Sequence, residues 1–117
     1  MTNYKFGDVL LLPFPFTNQS TSKQRPAVVV SNDIYNRQKD DIIVIAITSR
    51  VKEQLEFGEM PISGWNMAGL LKPSVVKPAI TTLEKVLVLR QLGTLQDEDK
   101  QGLNCLIKNI IGLDINI

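Results

Sequence analysis

No histidine occurs among the 117 residues, and cysteine occurs once, as Cys105. The first absence removes the side chain that most often moves protons at neutral pH. With it go Ser-His-Asp and Cys-His mechanisms within one chain. The two absences together leave no zinc site of the usual composition. A lone cysteine permits no internal disulfide, which fits a reducing compartment. Neither a P-loop (Gly-x4-Gly-Lys-Ser/Thr) nor a Gly-x-Gly-x-x-Gly loop is present, so no nucleotide cradle is visible. No apolar run approaches a membrane span, and the opening MTNYKFGDVLLLPFPF lacks a signal-peptide cleavage pattern. A cytoplasmic protein without a membrane partner is expected. An excess of charge is missing too: 13 basic and 12 acidic residues give a net charge of +1. A nucleic-acid partner would have to be held by a few placed cations, not by a broad basic field.

What is there is apolar material for a core, at 44% hydrophobic residues, in a chain of one-domain length, 1–117. Residues 8–16 (DVLLLPFPF) read as a strand that Pro13 and Pro15 close or hold at an edge. An exposed polar loop is expected over 17–24. A short buried strand follows over 26–30, then one helical turn over 33–38 capped by Asn32 or Asp33. Residues 41–48 (DIIVIAIT) are β-branched and apolar on both faces, the strongest strand signal in the chain. Further strands are expected over 55–62, 71–81 and 86–90, with a turn over 64–69. Residues 96–111 read as a helix. Thr94 and Asp97 match a capping box. Asp97, Glu98 and Asp99 suit the positive end of the helix dipole. Leu103, Leu106, Ile107, Ile110 and Ile111 form an apolar stripe, and Gly112 is a stop. Short strands with one packed helix predict a mainly β fold, a small partly open barrel.

Arg25 is the first candidate for chemistry. A residue before proline is pushed into extended conformations, and Pro26 suits the first position of a strand. Arg25 is therefore expected at a fixed place on the sheet rim, with a guanidinium fork that suits phosphate. From the residues alone, the plainer reading is a solvated arginine that guards a strand edge, since surface arginine is common. Thr48 and Ser49 end the long apolar strand, where a hydroxyl can face a site mouth, although threonine is simply a good strand residue. The carboxylates offer less. Asp40 and Asp41 suit a turn, and Glu53, Glu56 and Glu59 are spaced by three, which is no strand face. No pair carries a metal-ligand or acid/base signature, so no metal site and no cofactor are expected. Cys105 reads as a small core or near-core residue. Tyr35 and Trp65 can stack on bases or fill the core.

The combination is more informative than its members. GDVLLLPFPF at 7–16, KQRPAVVVSND at 23–33, IAITSR at 45–50 and LLKPSVVKPAITTLEKVLVLRQLGTLQDED at 70–99 resemble the MazF/PemK family of toxins from toxin–antitoxin systems. The resemblance implies an SH3-like barrel that forms a homodimer. It also implies a sequence-specific endoribonuclease that cuts single-stranded RNA without metal and is occluded by a cognate antitoxin. The family's catalytic arginine in the Arg-Pro motif maps onto Arg25, and its threonine at the end of the long strand maps onto Thr48. Lys23, Gln24 and Ser49 beside them are the expected RNA contacts. So are Asn18, Gln19, Ser20 and Asn32, whose amides and hydroxyl can read splayed base edges. No general base is assigned. Two other readings stay open. A CcdB-like gyrase poison shares the barrel, but its Trp-Gly-Ile tail is absent from a chain that ends LDINI. An inactive RNA- or antitoxin-binding relative would keep the fold without turnover.

Overall fold

The computed structural model describes residues 3–14 and 23–113. Its strands are β1 (Asp8–Phe14), β2 (Lys23–Val29), β3 (Asp41–Thr48), β4 (Met60–Pro61), β5 (Val75–Glu84) and β6 (Arg90–Thr94), with helices α1 (Asp33–Gln38) and α2 (Asp97–Ile111). The strands form one curled antiparallel sheet, a half-barrel, in the order β4-β5-β3-β2-β1-β6.

Strand alternation divides the core in two. Val9, Val28, Ile45, Ile47 and Val76 face Ile62, Ala68, Leu70, Leu95 and Leu103, which come from α2 and the chain around it. Leu10, Leu12, Ala27, Val29, Ile42, Val44, Ala46 and Leu83 form the second cluster on the opposite face. This is why DIIVIAIT is apolar throughout: both faces of β3 are covered. A fully buried Val, Leu or Ile contributes about 1.5–3 kcal/mol. The two clusters therefore hold the fold, whereas the exposed Lys52–Glu56 ion pair adds little.

Several boundaries differ from the sequence reading. β2 begins at Lys23, not Pro26, because β1 pairs with it as far as Phe14↔Lys23. Pro26 is tolerated inside because the β2–β3 ladder begins only at Ala27↔Ala46. Pro13 sits similarly: β6 leaves β1 at Leu11↔Arg90, so Pro13 pairs with β2 alone. Pro15 and most of the polar loop lie outside the described residues. The strand expected over 55–62 shrinks to β4, two residues long, after a turn at Phe57–Gly58. β5 starts at Val75 instead of 71 and runs on to Glu84. Of residues 86–90 only Arg90 is in a strand. Lys85–Leu87 make a 3₁₀ turn that leaves Val86 exposed, and the strand comes later, where β1 offers it a register from Leu11↔Arg90 to Asp8↔Thr94.

Helix α2 forms as expected and ends at Gly112 in the left-handed region, φ 82°. Its start differs. The capping box does not form, since Thr94 belongs to β6 and its Oγ1 donates to Asp8 Oδ1 at 3.1 Å; the N-cap is Gln96, without a side-chain cap bond. Asp99 does more than face the helix dipole. Its buried carboxylate accepts from the backbone N–H groups of Ser63 (3.0 Å) and Gly64 (2.8 Å), which ties α2 to the segment after β4. Leu103 is buried, and Leu106, Ile107 and Ile110 pack against the first cluster, but Ile111 is exposed. Cys105 is also exposed, because the apolar stripe passes on the other side of the helix.

The segment after β4 returns to β6, at the far edge of the sheet. Gly69 (φ +88°) and Gly93 meet there backbone to backbone. A Cβ on Gly69 would overlap the Leu92 carbonyl, and one on Gly93 would overlap that of Ala68. Only glycine permits this approach from either side.

Candidate active site

The site is built by two strands that part company. β2 and β3 are joined only over Ala27–Val29, and the last pair is Ala27↔Ala46. Beyond it β2 stays with β1, while β3 stays with β5 as far as Thr48↔Val75. The divergence opens a cleft of about 420 Å³. Gln24, Arg25 and Pro26 line one lip, and Ile47, Thr48 and Ser49 line the other. The remaining wall comes from residues 69–72 and Ser74, with Arg90 and Leu92 of β6. The Gly69–Gly93 approach clamps that wall to β6.

Arg25 is half-buried, with its Nε beneath the surface. It stands opposite Leu12 in register, so its strand position is held by a fully buried neighbour. Thr48 is half-buried, and its Oγ1 accepts from the Arg50 backbone N–H at 3.1 Å. That bond engages a lone pair and leaves the hydroxyl proton available to a ligand. Ser74 Oγ donates to the Lys72 carbonyl at 2.9 Å and closes the turn on which Lys72 stands. Among the described residues the cleft is lined by three cationic side chains, Arg25, Lys72 and Arg90, and by no carboxylate. The arrangement suits an anion.

The structure therefore brings Arg25, Thr48, Gln24 and Ser49 to one cleft. Lys23 is exposed at the first position of β2 and does not line it. Asn32 stands elsewhere. Its Oδ1 accepts from Ile34 N at 2.7 Å as the cap of α1, beside a separate hollow lined by Phe6, Asn104 and Ile107. Asn18, Gln19 and Ser20 lie outside the described residues. Trp65 packs against the first core cluster, and Tyr35 is half-buried in α1. Sequence reasoning missed Lys72 and Arg90. Lys72 carried a signal, since it precedes Pro73 as Arg25 precedes Pro26. Arg90 carried none beyond its position after an apolar run.

A half-barrel sheet with a packed C-terminal helix is the fold of several solved MazF toxins and of mycobacterial endoribonucleases. The Mycobacterium tuberculosis toxin MazF-mt6 is 23% identical, with TM-score 0.74 over 92% of this chain and 99% of that one. A mycobacterial endoribonuclease in complex with its cognate antitoxin is 19% identical, with TM-score 0.74 over 99% and 100% of the two chains. The MazF of a MazE–MazF complex from Deinococcus radiodurans is 19% identical, with TM-score 0.72 over 95% and 98%. At these identities the likeness speaks for the fold. No curated protein matches the chain by sequence. The sequence profile of the PemK-like, MazF-like toxins of type II toxin–antitoxin systems matches residues 5–111, and the chain belongs to that family.

Proposed function

We propose that this toxin is an endoribonuclease that cuts single-stranded RNA in the cleft between Arg25 and Thr48. The observation that carries the reading is that both residues line one cleft, from opposite lips where β2 and β3 part, together with further cations. RNA brings its own nucleophile. The 2′-oxygen attacks the adjacent phosphorus, the 5′-oxygen of the next nucleotide leaves, and the products are a 2′,3′-cyclic phosphate and a 5′-hydroxyl. The 2′-hydroxyl proton goes to solvent, and the leaving oxygen takes one up. Negative charge builds on the phosphoryl oxygens as the fifth bond forms. Arg25 meets that charge with a bidentate fork. Thr48 donates its hydroxyl proton to one of the same oxygens and fixes the group for in-line attack. An arginine stays charged at neutral pH and is a poor base, so charge stabilisation and alignment supply the rate. Nothing in these steps requires a metal.

Family membership supports the rest of the reading: a homodimer that cuts mRNA at short sequence motifs in the cytoplasm and is neutralised by a cognate antitoxin. Gln24 and Ser49 adjoin the two catalytic groups and contact the flanking nucleotides; Lys23, Asn18, Gln19 and Ser20 are further RNA contacts on the family resemblance alone. The test is cleavage of a long mixed-sequence RNA with EDTA present, by the wild type and by Arg25→Ala and Thr48→Ala. We expect cut ends bearing cyclic phosphate from the wild type alone. Full activity in both variants defeats the assignment, and wild-type activity lost to EDTA defeats the metal-free route.

A further inference from the structure

The cleft carries more positive charge than one phosphate needs. Arg25, Lys72 and Arg90 line it together, in a chain whose net charge is only +1. Arg25 answers to the scissile phosphate. The side chains of Lys72 and Arg90 make no hydrogen bond or ion pair among the described residues, so neither is committed to holding the fold. Both side chains are exposed, but the backbone positions that carry them are fixed. Arg90 opens β6 opposite Leu11, and Pro26 stands opposite the same Leu11 on the other side of β1. The backbones of Arg90 and Pro26 are thus two strand spacings apart, about 10 Å. Lys72 is set by the proline after it and by the Ser74 bond to its carbonyl. A lone phosphate at Arg25 would leave two cations unmatched, whereas an RNA backbone presents a charge at every nucleotide.

We infer that Lys72 and Arg90 form a second phosphate subsite, which binds the backbone of the RNA next to the scissile group as the strand crosses from β2 over β1 to β6. This rests on reading the cleft as an RNA site. Lys72 and Arg90 are positioning residues: they hold the strand in register while Arg25 and Thr48 act on the bond.

The probe is a mixed-sequence 2′-O-methyl RNA of about 12 nucleotides, which has no free 2′-hydroxyl and cannot be cut. Its binding is followed by fluorescence anisotropy over roughly 50–200 mM salt. Arg90→Gln and Lys72→Gln should each weaken binding several-fold and make the slope of log K against log salt shallower by about 0.7, the share of one phosphate contact on a single strand. Lys39→Gln, which replaces an exposed cation after α1, should leave the slope unchanged. On cleavable RNA the loss in the two cleft variants should fall on KM, whereas that of Arg25→Ala falls on kcat. Unchanged slopes in both cleft variants, or an equal change in Lys39→Gln, overturn the subsite. RNA cleavage lost in Arg25→Ala but indifferent to Lys72 and Arg90 overturns the subsite and keeps the endoribonuclease reading. Binding with the expected slopes by a wild type that never cuts RNA keeps the subsite and overturns that reading.

Discussion

Arg25 and Thr48 each stand two residues beyond the Ala27↔Ala46 pair, the last that joins their strands. Both residues line the same cleft, one from each lip of the gap. A hydrogen-bonded ladder would have filled the space between them; its ending creates the site.

Arg25→Ala should lower the cleavage rate by about 10²–10³-fold, the usual worth of a group aimed at developing oxyanion charge. Arg25→Lys should recover only part of it, because an ammonium lacks the planar fork. Initial rates in EDTA check both, and melting temperatures should show that the fold survives.

Thr48→Val keeps the β-branched shape and removes the donor. The expected loss is about 1.5–3 kcal/mol in the transition state, the worth of a hydrogen bond to a charged group. Thr48→Ser keeps the hydroxyl and should retain most of the activity. Single-turnover rates separate the two variants; equal rates would remove the hydroxyl from the mechanism.

Gly93→Ala should destabilise the protein by about 1–3 kcal/mol, as overpacking does, because its methyl would overlap the Ala68 carbonyl. The segment carrying Lys72 would be pushed off β6, so RNA affinity should fall as well. Urea denaturation and the anisotropy assay read the two effects.

Asp99→Ala removes the acceptor for Ser63 and Gly64 and strands two N–H groups beneath α2. Hydrogen bonds to a charged acceptor are worth about 1.5–3 kcal/mol each, so a marked fall in the urea midpoint is expected. Cleavage well below the new melting temperature should be little changed.

Tyr4 should ionise above the usual tyrosine range, because burial disfavours its phenolate and Asp8 adds repulsion. Between pH 10 and its raised value the folded state holds a proton that the unfolded state has released. Stability from this group is therefore complete below pH 10 and lost as pH rises through the raised value. Phenolate absorbance of the wild type against Tyr4→Phe checks the direction.

Much of this was legible in the sequence. β3 could be read because both its faces are covered and its residues say so. α2 could be read from its apolar stripe, and the cap of α1 from Asn32. KVLVLR misled because periodicity cannot separate a short apolar strand from an exposed 3₁₀ turn; what decides is the register offered by β1, eighty residues away in the chain. The same reason hid half of the site. Arg25 and Thr48 lie near each other in strand order, and the family's motifs name them. Lys72 and Arg90 meet them only because the chain after β4 comes back to β6, and the glycines that allow it are unremarkable as sequence. Asp99 was hidden by a sufficient local explanation, the helix start, which left its distant partners unsought.

A gap in a sheet has a width settled by folding, at the point where its two strands part. At about 420 Å³, this one is in the range of small-molecule sites, the scale of a nucleotide or two. On the proposed reading, the RNA held there is unpaired. Hairpins in that substrate would then shield the segments they pair, and cutting would fall on the stretches between them.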